Sequence, residues 1–208
     1  MPNNALDEAI REAYASAPDN EIIFHTLELR HPEFKDDQGN VVTIRVVRNY
    51  EEEQAWRDKN SAEVDAVLDG LDDETRAQVG LVARLEADAP VDPGAMVYFT
   101  AFAFDLVEPP VDIHPSPEAV LEMDNVGKEV LKHLEAAAKS KLDTVVTYRS
   151  YLLTDIEGPQ EDPPLEMTLS DAKANPIRVA GRIRVADMGN KSFPRLKYTS
   201  KKFPGLAR

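Results

Sequence analysis

Four histidines, His25, His31, His114 and His133, carry the side chains best suited to acid–base or metal chemistry near neutral pH. None stands in the His-x-x-x-His or His-Glu-x-x-His spacing that sets two imidazoles on one helix face for a metal, so His25 and His133 read as structural residues of a strand and a helix. There is no cysteine, which excludes disulfides, iron–sulfur ligation and thiol nucleophiles. No serine sits in a Gly-x-Ser-x-Gly elbow, and Gly158, Gly181 and Gly189 are too isolated to cradle a phosphate. Asp72, Asp73 and Glu74 lack the ligand ladder and closing glutamate of a calcium loop and read as a solvated acidic face. Asn190-Lys191-Ser192 has the form of a glycosylation sequon without a secretory signal before it. Carboxylates are so abundant that no pair of them stands out. The expectation is a protein with no catalytic residue, no metal and no cofactor.

The elements that would position any of these groups are organised around Met96 to Lys139. Tyr98, Thr100, Phe102, Phe104 and Leu106 share one parity, and Val97, Phe99, Ala101 and Ala103 the other. Both faces are largely apolar, as in a central strand covered on two sides. Pro109 and Pro110 end it because they lack ladder donors. Val120 to Val126 resumes β character, Asp124 or Asn125 can cap a helix, and Val130, Leu131, Leu134 and Ala138 give that central helix an apolar side.

Around this stretch the chain reads in order. A helix is expected from Ala5 to about Ala17, then a strand from Glu21 to Leu29, a turn at Asp36–Asn40 and a strand from Val41 to Val47. Residues 51–92 hold thirteen acids against Arg57, Lys59, Arg76 and Arg84, with helical spacing at Val64, Val67, Leu68 and Leu71. They read as an acidic, partly helical, mobile insertion anchored by Trp56. Later strands are expected at Thr144–Leu153, Leu165–Leu169 and Ile177–Ala186. In the last of these Arg178, Arg182 and Arg184 form a basic stripe opposite an apolar face. The end of the chain pairs Phe193 with Pro194 and Phe203 with Pro204, with Arg195 and Tyr198 between, and should lie extended with its rings as anchors. The organisation expected is therefore 1–50 (first helix and strands), 51–92 (insertion), 93–190 (remaining β domain with the central helix) and 191–208 (basic tail).

A chain of 208 residues can bury a substantial core, and no apolar run approaches the roughly 20 residues needed to cross a bilayer. The N-terminus lacks a signal pattern, so the expected place of assembly is the cytoplasm, without membrane insertion. Net charge is −14, which argues against general or sequence-specific nucleic-acid binding. The charge is unevenly placed: Ala172 to Arg208 holds ten Lys or Arg against Asp187, a balance of +9 that leaves −23 on the rest. An acidic body with a basic end suits a subunit that binds copies of itself. Arg178, Arg182, Arg184, Phe193, Arg195, Tyr198 and Phe203 are the expected contact residues.

Several segments together resemble an uncharacterised tail-protein family of long-tailed bacteriophages and prophages. They are LDEAIREAYASAP, HTLELRHP, IRVVRN, FTAFAFDLVEPP, LEMDNVGKEV, TYRSYLLTDIEGPQEDPP and NKSFPRLKYTSKKFPGL. The most specific phrases are Phe104-Asp105-Leu106, Asp124-Asn125-Val126, Tyr148 to Leu152 and Phe203 to Leu206. The likeness spans nearly the whole chain apart from Glu51 to Asp92, where relatives are expected to be shorter. It implies an α+β, mainly β fold: a tail-tube-like β-sandwich or barrel with one central packed helix. It also implies a gene neighbourhood beside the tape-measure protein and a cell-wall peptidase. The function implied is structural: a closed ring, trimeric or hexameric, in the virion tail tip, joining the tail tube to the baseplate hub as a distal tail protein. The alternative is an assembly factor that binds tape-measure or peptidase partners and is absent from the mature virion.

Overall fold

Alternating side chains make Ile23–Lys35 (β1) the strand on which the sheet is built: Leu27 and Leu29 enter one core while Phe24, Thr26 and Glu28 are buried on the opposite face. The computed structural model describes residues 22–36, 38–48, 55–59, 61–107, 118–124, 132–133, 135–137, 140, 142–174 and 178–185. The further strands are β2 (Val41–Val47), β3 (Val79–Arg84), β4 (Met96–Ala101), β5 (Phe104–Val107), β6 (Glu118–Asp124), β7 (Thr144–Leu152), β8 (Leu165–Ala174) and β9 (Arg178–Val185). A 3₁₀ turn (Ala55–Asp58) and two helices, α1 (Ser61–Asp69) and α2 (Asp73–Ala77), precede β3. The fold is α+β and mainly β, as expected.

The nine strands among the described residues form one mixed sheet in the order β3-β4-β2-β1-β7-β8-β9-β6-β5. Every pairing is antiparallel except β2 with β4, which meet in parallel only at Val46↔Thr100 and Val47↔Ala101. The expected central strand is thus two strands, interrupted at Phe102 and Ala103. The first half pairs with β2 and β3, and the second pairs with β6 at the far end of the order. One chain segment therefore joins both ends of the arc running from β2 to β6. The sheet curls around an inner core containing Leu27, Ile44, Phe104, Met123, Val146, Met167 and Ile183, although the ladder itself stays open.

A second core lies on the other face of β1, β2 and β7. There β3 and β4 fold over as an outer layer, and Phe24, Val47 and Tyr151 pack with Leu81, Val82, Ala83, Val97 and Phe99. The rings of Phe99 and Tyr151 lie 5.9 Å apart at 57°, the tilted arrangement that aromatic quadrupoles favour.

This second core corrects the reading of residues 51–92. The segment is partly helical as expected, but Trp56 is not its sole anchor, since Val64 and Leu68 are buried beside it. Its last part is an edge strand: Val79, Gly80, Leu81, Val82 and Ala83 are all buried. Consecutive apolar residues without alternation fit a strand covered on both sides, a pattern that acidic neighbours masked.

Other boundaries moved for local reasons. β1 runs on to Lys35 because Pro32 falls in a bulge, where no ladder donor is required; the register jumps from Arg30↔Thr43 to Lys35↔Val41. There the Glu33 N–H donates to His31 Nδ1 at 3.0 Å, in place of a ladder bond. β8 likewise continues past Leu169 through an irregularity between Ser170 and Lys173. Asp124 ends β6; Asn125 and the start of the expected helix lie outside the described residues. Helical residues occur at 132–133 and 135–137, and Ala137 joins the inner core. The expected stripe Val130, Leu131, Leu134 and Ala138, and the expected helix at Ala5–Ala17, lie outside the described residues.

Candidate functional site

β9 alternates as its sequence predicts: Val179, Gly181 and Ile183 are buried, while Arg182 and Arg184 are exposed on the outer face. Arg178 shares their parity and stands in register with Asp124. The stripe is not a uniform positive band, because β6 sets Glu118 opposite Arg184, Val120 opposite Arg182 and Glu122 opposite Ala180. The register thus alternates acids of β6 with the arginines of β9, and cross-strand neighbours of opposite sign attract. Only the pairing of strands, invisible from β9 alone, reveals this. Phe193, Arg195, Tyr198 and Phe203 lie outside the described residues.

Glu63, Asp65, Asp69, Asp72, Asp73 and Glu74 are all exposed on α1, α2 and the turn between them, an acidic surface beside β3 and β4. Asp72 is the N-cap of α2, accepting from Thr75 N at 2.8 Å and Thr75 Oγ1 at 3.0 Å. Those hydrogen bonds hold its carboxyl below the usual range. The acidic run therefore starts a helix, and among the described residues no group of acids and histidines could hold a metal ion.

The densest charge lies under the connection from β3 to β4, residues 85–95, which crosses the outer face of β1, β2 and β7 as a strap. Gly94 N donates to Glu86 O at 2.8 Å and Leu85 N to Ala95 O at 3.0 Å, closing the strap on itself. Asp92 and Gly94 have φ of 53° and 65°, left-handed positions that Asp and Gly tolerate best. Beneath the strap Arg149 is fully buried and grips Glu86 with both arms of its guanidinium, Nε to Oε2 at 2.7 Å and Nη2 to Oε1 at 2.6 Å. Glu28, also fully buried, receives Arg45 Nε at 3.0 Å and lies 3.5 Å from Arg149 Nη1 and 3.3 Å from Arg30 Nε. Arg45 reaches Asp92 at 2.8 Å, and Arg30 reaches Glu166 at 3.0 Å. The 3.3 and 3.5 Å contacts are ion pairs without hydrogen-bond alignment, leaving Glu28 Oε1, Arg30 Nε and Arg149 Nη1 unpartnered.

Burial opposes the charge of Arg149, but hydrogen bonding to Glu86 and the charges of Glu28 and Glu86 outweigh it and raise its pKa. Burial likewise pushes the Glu86 carboxyl up, and the Arg149 hydrogen bonds overcome that and leave it lowered. Both groups are charged. None of these residues stands out in the sequence: their one local signal is polar side chains at every second position of strands whose other parity is core.

The described histidines lie apart from this cluster. His25 Nδ1 is 2.6 Å from Tyr148 Oη, and burial and then Arg48 lower its pKa, leaving it neutral. His31 accepts from Glu33 N at Nδ1, so its proton is on Nε2, which donates to Leu142 O at 3.2 Å. His133 packs its ring 5.7 Å from Phe34. An open recess of about 500 Å³ nearby is lined by Glu33, Lys132, Glu135, Ala136 and Ser140, whose Oγ accepts from Leu142 N at 3.1 Å. No helix among the described residues is long and apolar enough to cross a membrane.

No curated protein matches the chain. One family model matches residues 71–198, more than half of the 208. The match takes in β3 through β9 and the second half of the acidic segment; β1 and β2 lie outside it, although both are interior strands of the sheet. The chain belongs to the family described as a domain of unknown function (DUF1833).

Proposed function

We propose that this protein is a structural subunit of a bacteriophage tail tip, not an enzyme, and that copies of it close into a trimeric or hexameric ring joining the tail tube to the baseplate hub. The motif resemblance supplies the setting: assembly in the host cytoplasm, residence in the virion tail, and tube, tape-measure and hub proteins as neighbours. The observation that carries the reading is that two exposed surfaces of different character lie on different elements. The acidic residues of α1 and α2 sit beside β3 and β4, and Arg182 and Arg184 project from β9, five strands from β4 in the sheet order. A ring closed by rotation needs two unlike patches on each copy, and complementary charge fixes their register. The basic residues from Lys191 to Arg208 would add to the positive partner surface.

Mass spectrometry of purified virions and light scattering of the isolated protein at low and high salt test the reading. The expected result is a virion-resident subunit in a multiple of three copies, and a low-salt oligomer that dissociates in the variant Arg182→Glu/Arg184→Glu. Absence from purified virions overturns it in favour of an assembly factor.

A further inference from the structure

The cluster beneath the strap holds more positive charge than the sheet itself neutralises. Arg30, Arg45 and Arg149 all come from the sheet, and among the cluster's anions only Glu28 is buried with them. Balance comes from the periphery. Asp92 and Glu166 are half exposed or more, whereas Glu86 sends its carboxylate inward to the fork of Arg149. Arg149 Nη1 and Arg30 Nε remain as buried donors without a hydrogen bond, held only in ion-pair contact with Glu28 at 3.5 and 3.3 Å. A planar guanidinium presented edge-on with donors to spare is the arrangement proteins use to take up carboxylates.

We infer that Arg149, flanked by Arg30 and Arg45, is a carboxylate-binding site that the strap fills in cis with Glu86, so that the strap acts as a latch on a site for a carboxylate-bearing ligand. The inference is independent of the ring proposal and concerns a different part of the sheet's outer face, over β1, β2 and β7 and not β9. With Glu86 in place the site is closed to small carboxylates, because the tethered group is always at hand.

The test uses the full chain with Glu86→Ala, thermal unfolding being followed in sodium acetate and in sodium chloride at matched ionic strength. In Glu86→Ala, acetate should raise the midpoint by roughly 3 °C over chloride once it exceeds its dissociation constant about tenfold, and the effect should saturate. Wild type should show no acetate-specific rise, and neither should Glu86→Ala/Arg149→Met. If Glu86→Ala does not fold in chloride, acetate-dependent recovery of the unfolding transition gives the same reading. Equal behaviour in acetate and chloride overturns the inference. So does an acetate-specific rise of the same size in wild type or in the double variant, since the ligand would then occupy some other site.

Discussion

A methyl group on Gly80 would lie 2.7 Å from Cγ1 of Val47, and 2.9 Å from Cβ of Ala101 on its other side. β3 passes the meeting point of β2 and β4 with no room for a side chain, and the register of β3 on β4 shifts there, between Val79 and Leu81. Neither neighbour can swing away, since Val47 is β-branched and fully buried and Ala101 offers only its Cβ. Gly80→Val should cost about 1–3 kcal/mol by overpacking. Urea unfolding should show a lower midpoint; an unchanged midpoint would mean that β3 does not pass so close to β2.

Trp56 is the only tryptophan, and it is fully buried in the second core with Arg57 over its ring. Trp56→Ala should destabilise the fold by about 3–5 kcal/mol. Selectively excited tryptophan fluorescence of wild type reports on this core alone. Its unfolding midpoint should coincide with that from far-UV circular dichroism if both cores melt together.

Two arginines that each bind carboxylates should differ sharply in what their loss costs. Arg84 bridges Glu63 and Glu157 near the surface, and those pairs, which raise its pKa, contribute under about 1 kcal/mol each. Arg149 is fully buried between Glu28 and Glu86, so Arg149→Ala strands Glu86, takes one of three cationic neighbours from Glu28, and should cost about 3–5 kcal/mol. Denaturant unfolding of the two single variants measures the difference.

Stability should fall on acidification in two windows. Burial and Arg48 depress His25, so the unfolded chain binds its proton first, and stability is lost as pH drops below the ordinary value of 6.5. Glu86 is also depressed in the fold, so its contribution is present above the ordinary value of 4.5 and is lost as pH falls through the lower folded value. In denaturant unfolding at a series of pH values, His25→Gln should flatten the upper window and Glu86→Gln the lower. A wild-type profile flat from pH 7 to 5 would refute the assignment of His25.

The amino-acid sequence by itself determined the α+β, mainly β class, because period-two alternation survives in any sheet context. It placed β2, β7 and β9 to within a residue or two and put Arg182 and Arg184 on the outer face of β9. Local pattern also marked Trp56 as an anchor, a large apolar ring amid acids having few reasons to be there. What pattern could not supply was pairing. That Phe104 turns away from β4 to join β6, that Val79–Arg84 is a strand among acidic helices, and that Glu118 stands opposite Arg184 all depend on residues far apart in the chain. The Glu28, Glu86 and Arg149 cluster is the clearest case. Each residue alone reads as an ordinary solvated charge, since a lone charge is costly to bury, and only the tertiary structure brings partners from β1, the strap and β7 close enough to offset that cost.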